Sequence, residues 1–129
     1  MRSWVGVLVA LGAGLLPLTA GEESPHELAV KHVLKSLDKL TMALSAVKDA
    51  DTAQAARPEL RKAAKDWTEL KSKTALLPPP DQAEKDRLAK EYKGKMDDAI
   101  KKYYVEVGRV FSFQAGKEVL VELKPVVIP

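Results

Sequence analysis

The chain has 129 residues, with 21 basic and 18 acidic side chains, a formal net charge of +3, and no cysteine. The near balance of interspersed charges gives no field that selects nucleic acid or an acidic membrane as partner. The missing cysteine excludes a disulfide framework, a thiolate metal site, c-type haem attachment, a cysteine nucleophile and a lipidated cysteine, so stability has to come from packing.

Arg2, an uncharged run from Ser3 to Gly21, and then Glu22 and Glu23 read as a secretory signal peptide over residues 1–20. The dense apolar part, Trp4 to Leu16, has 13 residues, and Pro17 breaks it before Leu18-Thr19-Ala20, which places cleavage after Ala20 or Gly21. The alternative is an uncleaved membrane anchor, since the uncharged run of 19 residues is close to the ~20 that a spanning helix needs. With cleavage, 20 basic residues face 18 acidic ones for a net charge of +2, and residues 21–129 form one domain with a C-terminal tail at 116–129. The expected location is exported, periplasmic or extracellular, with no stable membrane insertion after signal cleavage.

The expected fold is an all-α, up-down-up bundle of three main helices, at about 25–48, 53–77 and 82–114, with the apolar tail packing back. Ser24-Pro25-His26-Glu27 starts the first helix, with Ser24 as cap and Glu27 completing a capping box. Val30, Val33, Leu34, Leu37, Leu40, Leu44 and Val47 form its apolar stripe. Asp51 or Thr52 is expected to cap the second helix, whose stripe runs through Ala53, Ala56, Leu60, Ala63, Ala64, Trp67, Leu70 and Thr74. Trp67 is its one large plug, and a kink or separate turn is expected before Pro58.

Pro78-Pro79-Pro80 stops that helix, and Asp81 with Glu84 forms a second capping box that starts the third. Leu88, Tyr92, Met96, Ala99, Tyr103, Val107 and Val110 face inward, and Ile100, Tyr104 and Phe111 widen the stripe to one side. On the outer face, Asp86 with Lys90, Glu91 with Lys95, Asp97 with Lys101 and Asp98 with Lys102 are spaced for ion pairs of a few tenths of a kcal/mol each. Gly108 marks a bend and Gly116 a helix cap. The tail from Val119 to Ile128 is apolar except at Glu122 and Lys124-Pro125.

No constellation of catalytic residues stands out. His26 and His32 lie six positions apart, about 120° round a helix, so they do not clamp one ion. His26 falls on the apolar stripe and is the weak candidate for a cofactor contact; no metal site is expected. No serine sits in a Gly-x-Ser-x-Gly context and no glycine-rich phosphate loop is present. Tyr92 and Tyr103 lie near lysines but on the apolar stripe, which points to the core rather than to stacking on bases.

The amphipathic first helix, the Lys-x-x-Asp turn at Lys48 to Asp51, the alanine-rich second helix and the prolines at its end resemble the first half of the periplasmic cytochrome b562-type bundles, over residues 28–80. That resemblance implies a four-helix bundle with b-type haem held by a methionine early in the first helix and a histidine late in the last. Neither ligand is matched here: position 26 is histidine and the last helix has none. Exchanging them for His26 and Met96 fails in an up-down-up bundle, because the two are offset by about 20 Å along the axis.

The expected function is therefore that of an exported, non-enzymatic helical bundle with a structural or protein-interaction role and no cofactor. Ile100, Tyr104, Phe111, Val119, Leu120 and Val121 are the candidate surface for an unidentified protein partner. The alternative is a b562-like haem or small-ligand binding protein.

Overall fold

The computed structural model describes residues 23–126 and 128, which are all-helical: four helices and a 3-10 turn, with no strand among the described residues. They are α1 (Pro25–Ser45), α2 (Ala50–Ala75), α3 (Gln82–Phe111), α4 (Gln114–Val119) and the 3-10 turn Leu120–Leu123. The expected signal peptide, with its cleavage sites and the anchor alternative, lies outside the described residues. No helix among the described residues is long and apolar enough to cross a membrane.

Three starts are set by side-chain caps. Ser24 Oγ accepts the Glu27 N–H at 3.0 Å at the head of α1, and Asp81 Oδ1 accepts the Glu84 N–H at 2.8 Å at the head of α3. The cap of α2 is Asp49 rather than Asp51 or Thr52. Its carboxylate accepts the Thr52 N–H at 2.8 Å while Thr52 Oγ1 accepts the Asp49 N–H at 2.9 Å, a reciprocal box in which threonine does what glutamate usually does. This draws the start of α2 back to Ala50, so α1 ends at Ser45 and the link between them is short. Pro58 causes no separate turn: α2 runs through it without interruption, and Gln54, whose carbonyl loses its partner to the proline, is exposed.

The core is built where the stripes predict it. Leu37, Leu40, Leu44 and Val47 meet Leu60, Trp67 and the alanines of α2, with Tyr103 and Val110 from α3. Each fully buried leucine there contributes about 1.5–3 kcal/mol. α1 packs along both α2 and α3, yet no Cα of α2 comes within 8 Å of one in α3. The beginnings of α1 and α3 are tied by Ser24 to Glu84 and by Glu27 to Arg87. At the other end, Arg109 donates to the carbonyls of Leu44 and Val47, at 2.8 Å each, and so satisfies acceptors at and just past the last turn of α1.

Two glycines behave differently from expectation. α3 is continuous through Gly108, and it stops instead at Phe111, where the Ser112 hydroxyl donates to the Arg109 carbonyl and the chain turns through Phe113. Gly116 caps nothing; it lies inside α4, where a β-carbon would overlap the backbone carbonyl of Val110. Only glycine lets α4 come that close to the end of α3.

The tail then turns onto α2. Val119 and Leu123 are buried in the core, and Glu122 accepts from Arg57 at 2.8 Å and from Arg61 at 3.0 and 3.1 Å. α4 and the 3-10 turn thus fill the gap between α2 and α3 beside the first half of α2 and leave it unfilled beside the second half.

Candidate functional site

The unfilled half of that gap is a cavity of about 430 Å³. α2 lines one wall with Trp67, Lys71 and Thr74, spaced four and then three residues apart and hence on one face. α3 supplies Met96 and Ile100, α1 supplies Val33 and Leu37, and Ile128 of the tail also lines it. Each helix contributes side chains at i and i+4, so regular helical spacing alone converges them on one space. The volume lies within the ~300–1,000 Å³ of small-molecule sites, and the lining, apolar with few polar groups, has their usual character.

Lys71 and Thr74 are the polar residues that line this space, and the Trp67 indole N–H lies buried behind its wall. Lys71 is its one charged lining residue, and among the described residues its ammonium has no hydrogen-bond or ion-pair partner. The Thr74 hydroxyl is likewise uncommitted, whereas the hydroxyls of Thr41 and Thr68 each donate to the carbonyl four residues back. Trp67, 2 % exposed, has an indole N–H with no acceptor among the described residues. A buried donor left unsatisfied costs about 1–3 kcal/mol. A larger hollow, of about 530 Å³, lies between α1 and α3, but its walls carry Asp98, Glu106, Lys101 and Lys102, whose opposite charges leave no single ligand chemistry favoured.

A second polar assembly sits at the head of α1 and α3. Tyr92 donates to Glu27 Oε2 at 2.6 Å, and Arg87 reaches Glu27 Oε1 at 3.2 Å and Glu84 at 3.0 and 3.1 Å. Ser24 donates to Glu84 while accepting the Glu27 N–H. Both glutamates expected to complete capping boxes have turned away to join this network. The Tyr92 hydrogen bond, opposed by burial and reinforced by Arg87, holds the Glu27 carboxyl below its ordinary range. The same bond, with burial, pushes the Tyr92 phenol up to about 12. Both groups are moved away from neutrality, so the network holds its protons in place and serves as a clamp between helices.

His26 is buried beside this clamp, with Nε2 at 2.6 Å from the Pro78 carbonyl. A carbonyl only accepts, so Nε2 carries the hydrogen and ties α1 to the proline turn. His26 does not line the cavity; Met96 does. No group of three or more His, Asp or Glu suited to a metal ion occurs among the described residues.

The six residues expected to form one contact surface are separated. Tyr104, Phe111 and Val121 are more than half exposed, with Lys117 Nζ 5.2 Å from the centre of the Phe111 ring. Ile100 is a cavity wall and Leu120 is half-buried. Val119 is in the core, because α4 turns it inward against α2. Met42 is exposed, as its place off the stripe predicts. Tyr92 and Tyr103 are buried, as expected.

The four expected ion pairs on the outside of α3 do not form among the described residues. Asp97 takes Lys93, Glu91 takes Arg87, and Lys95 lies over the Tyr92 ring at 5.3 Å. Exposed pairs differ by so little that local alternatives decide.

No protein-family model, curated protein or solved structure matches the chain.

Proposed function

We propose that this chain is an exported, non-enzymatic binding protein: an up-down-up helical bundle that holds a small apolar ligand between its second and third helices, with the tail packed back as a partial fourth element. The observation that carries the reading is the 430 Å³ cavity walled by Trp67, Met96 and Ile100 and floored by Val33 and Leu37. Space of this kind forgoes dispersion contacts that a ligand restores, because surrounding side chains pack as densely as an organic crystal. Of the axial ligand types that a b562-like haem site uses, the lining contains one thioether, Met96, and no imidazole, which favours a metal-free ligand.

Titration with the neutral fluorophore N-phenyl-1-naphthylamine tests this. Saturable enhancement at one site per chain is expected, and Ile100→Trp, which fills the space, should abolish it while the helical circular dichroism is retained. Absence of enhancement in the wild-type chain would remove the proposal.

A specific observation favours a second reading, contact with a protein partner. Tyr104 and Phe111 are seven residues apart, on one face of α3, and both are more than half exposed. A loss of association in Tyr104→Ser/Phe111→Ser, seen by sizing chromatography of the native complex, tests that reading independently of the cavity.

A further inference from the structure

The polar groups on the α2 wall narrow the ligand class. Trp67 and Lys71 are four residues apart and Thr74 follows three later, so the three share one face of α2 along an apolar space, with Lys71 exposed at its edge. Among the described residues, neither Lys71 nor Thr74 spends its polar group within the protein. The lining holds no carboxylate to neutralise Lys71. A cation meets like charge at Lys71, and a neutral hydrocarbon leaves the ammonium and the hydroxyl unmatched. An anionic head that only accepts hydrogen bonds matches the ammonium and the hydroxyl together.

We infer that the cavity takes an aliphatic monocarboxylate, its chain against Val33, Leu37, Met96 and Ile100 and its carboxylate at Lys71 and Thr74. This rests on the cavity reading above and adds to it the charge and shape of the ligand. Ile128 also lines this space and adds apolar surface for the chain of the ligand, while Lys71 is exposed.

The test compares dodecanoate, dodecanol and dodecyltrimethylammonium by calorimetry on the full chain, below their critical micelle concentrations. Dodecanoate is expected to bind about fivefold tighter than dodecanol at low salt, the scale of an exposed ion pair. The preference should shrink in 1 M NaCl, where charges are screened within about 3 Å. Lys71→Gln should remove most of the preference for dodecanoate over dodecanol, and Thr74→Val should reduce that preference in the same direction. Equal affinity for dodecanoate and dodecanol, tighter binding of the trimethylammonium, or a preference untouched by Lys71→Gln would overturn the ligand class. If N-phenyl-1-naphthylamine still binds in that case, the cavity reading stands and only the class falls; if no probe binds, both fall.

Discussion

Tyr92 donates its phenolic hydrogen to Glu27 across the α1–α3 interface, joining residues 65 positions apart in the chain at 2.6 Å. The phenol is pushed up to about 12 by this bond to a carboxylate and then by burial. An acid whose folded pKa is raised contributes stability that is complete below its unfolded value, about 10, and is lost as pH rises through the folded one. Tyr103, pushed up to about 12 by burial and then by Tyr104, loses its contribution in the same window. Melting temperature is expected to fall as pH is raised above about 10, and Tyr92→Phe should lower it at neutral pH while flattening the alkaline fall. An alkaline profile identical in Tyr92→Phe would mean that the bond contributes nothing.

The acid side behaves oppositely. Glu27 is held low by Tyr92 first, against burial, with Arg87 adding to it; at Glu84 burial pushes up, but hydrogen bonds from Arg87 and Ser24 outweigh it. Depressed carboxyls contribute stability that is present above about 4.3 and lost as pH falls through their lower folded values. Arg87→Met should therefore cost about 1 kcal/mol at pH 7, given that the arginine is 45 % exposed, and reduce the dependence of the urea midpoint on pH below about 4.3. An unchanged acid dependence would remove Arg87 from the clamp.

Glycine positions separate close approach from open surface. Gly116→Ala places a methyl on the Val110 carbonyl and should destabilise by about 1–3 kcal/mol or more, with α4 displaced. Gly94 and Gly108 have nothing within 4 Å of an added β-carbon, so alanine there should stabilise α3 by about 0.5–1 kcal/mol each. Chemical denaturation of the three variants checks the ordering; a neutral Gly116→Ala would contradict the packing of α4 onto α3.

Glu122 anchors the tail through Arg57 and Arg61, and its carboxyl is held low by Arg61 first, against burial, and by Arg57. Glu122→Gln should speed hydrogen exchange of the amides of residues 119–123 with little effect on those of α1. Exchange that is equal at both places would show the tail to be cooperative with the core.

Much of this molecule is legible from periodicity. The stripes that contain Leu37, Leu40, Leu44, Leu60 and Trp67 are the core, because burial of a helical face imposes the 3.6-residue period directly on the sequence. The Asp49 cap escapes the usual capping-box pattern because Thr52 takes the place of glutamate, an equivalent acceptor outside the common motif. Gly116 reads as a stop signal only while the chain is regarded as one helix; its reason is a contact with Val110, which no local spacing contains.

The cavity is hidden for a similar cause. Trp67, Thr74, Met96 and Ile100 all carry the apolar-stripe signature of packed residues. Whether opposing stripes touch or stand apart depends on where the tail runs, and the tail is positioned by Val119, Leu123 and Glu122 from far along the chain. The uncommitted Lys71 looks like any solvated lysine until Ile100 and Met96 are placed across from it.

Because no Cα of α2 lies within 8 Å of one in α3 while α1 and the tail approach both, the order in which contacts become available follows the order of the chain. α1 and α2, joined by a short link, form a helical hairpin whose contacts are local and rapidly found. α3 packs on α1 as well, and α4 with the 3-10 turn contacts both α2 and α3. As the chain is made the α1–α2 hairpin precedes α3, so the part of α2 against which Val119 and Leu123 pack stays open until that later segment docks. That interval is when the chain is most open to a ligand, a chaperone or another copy of itself.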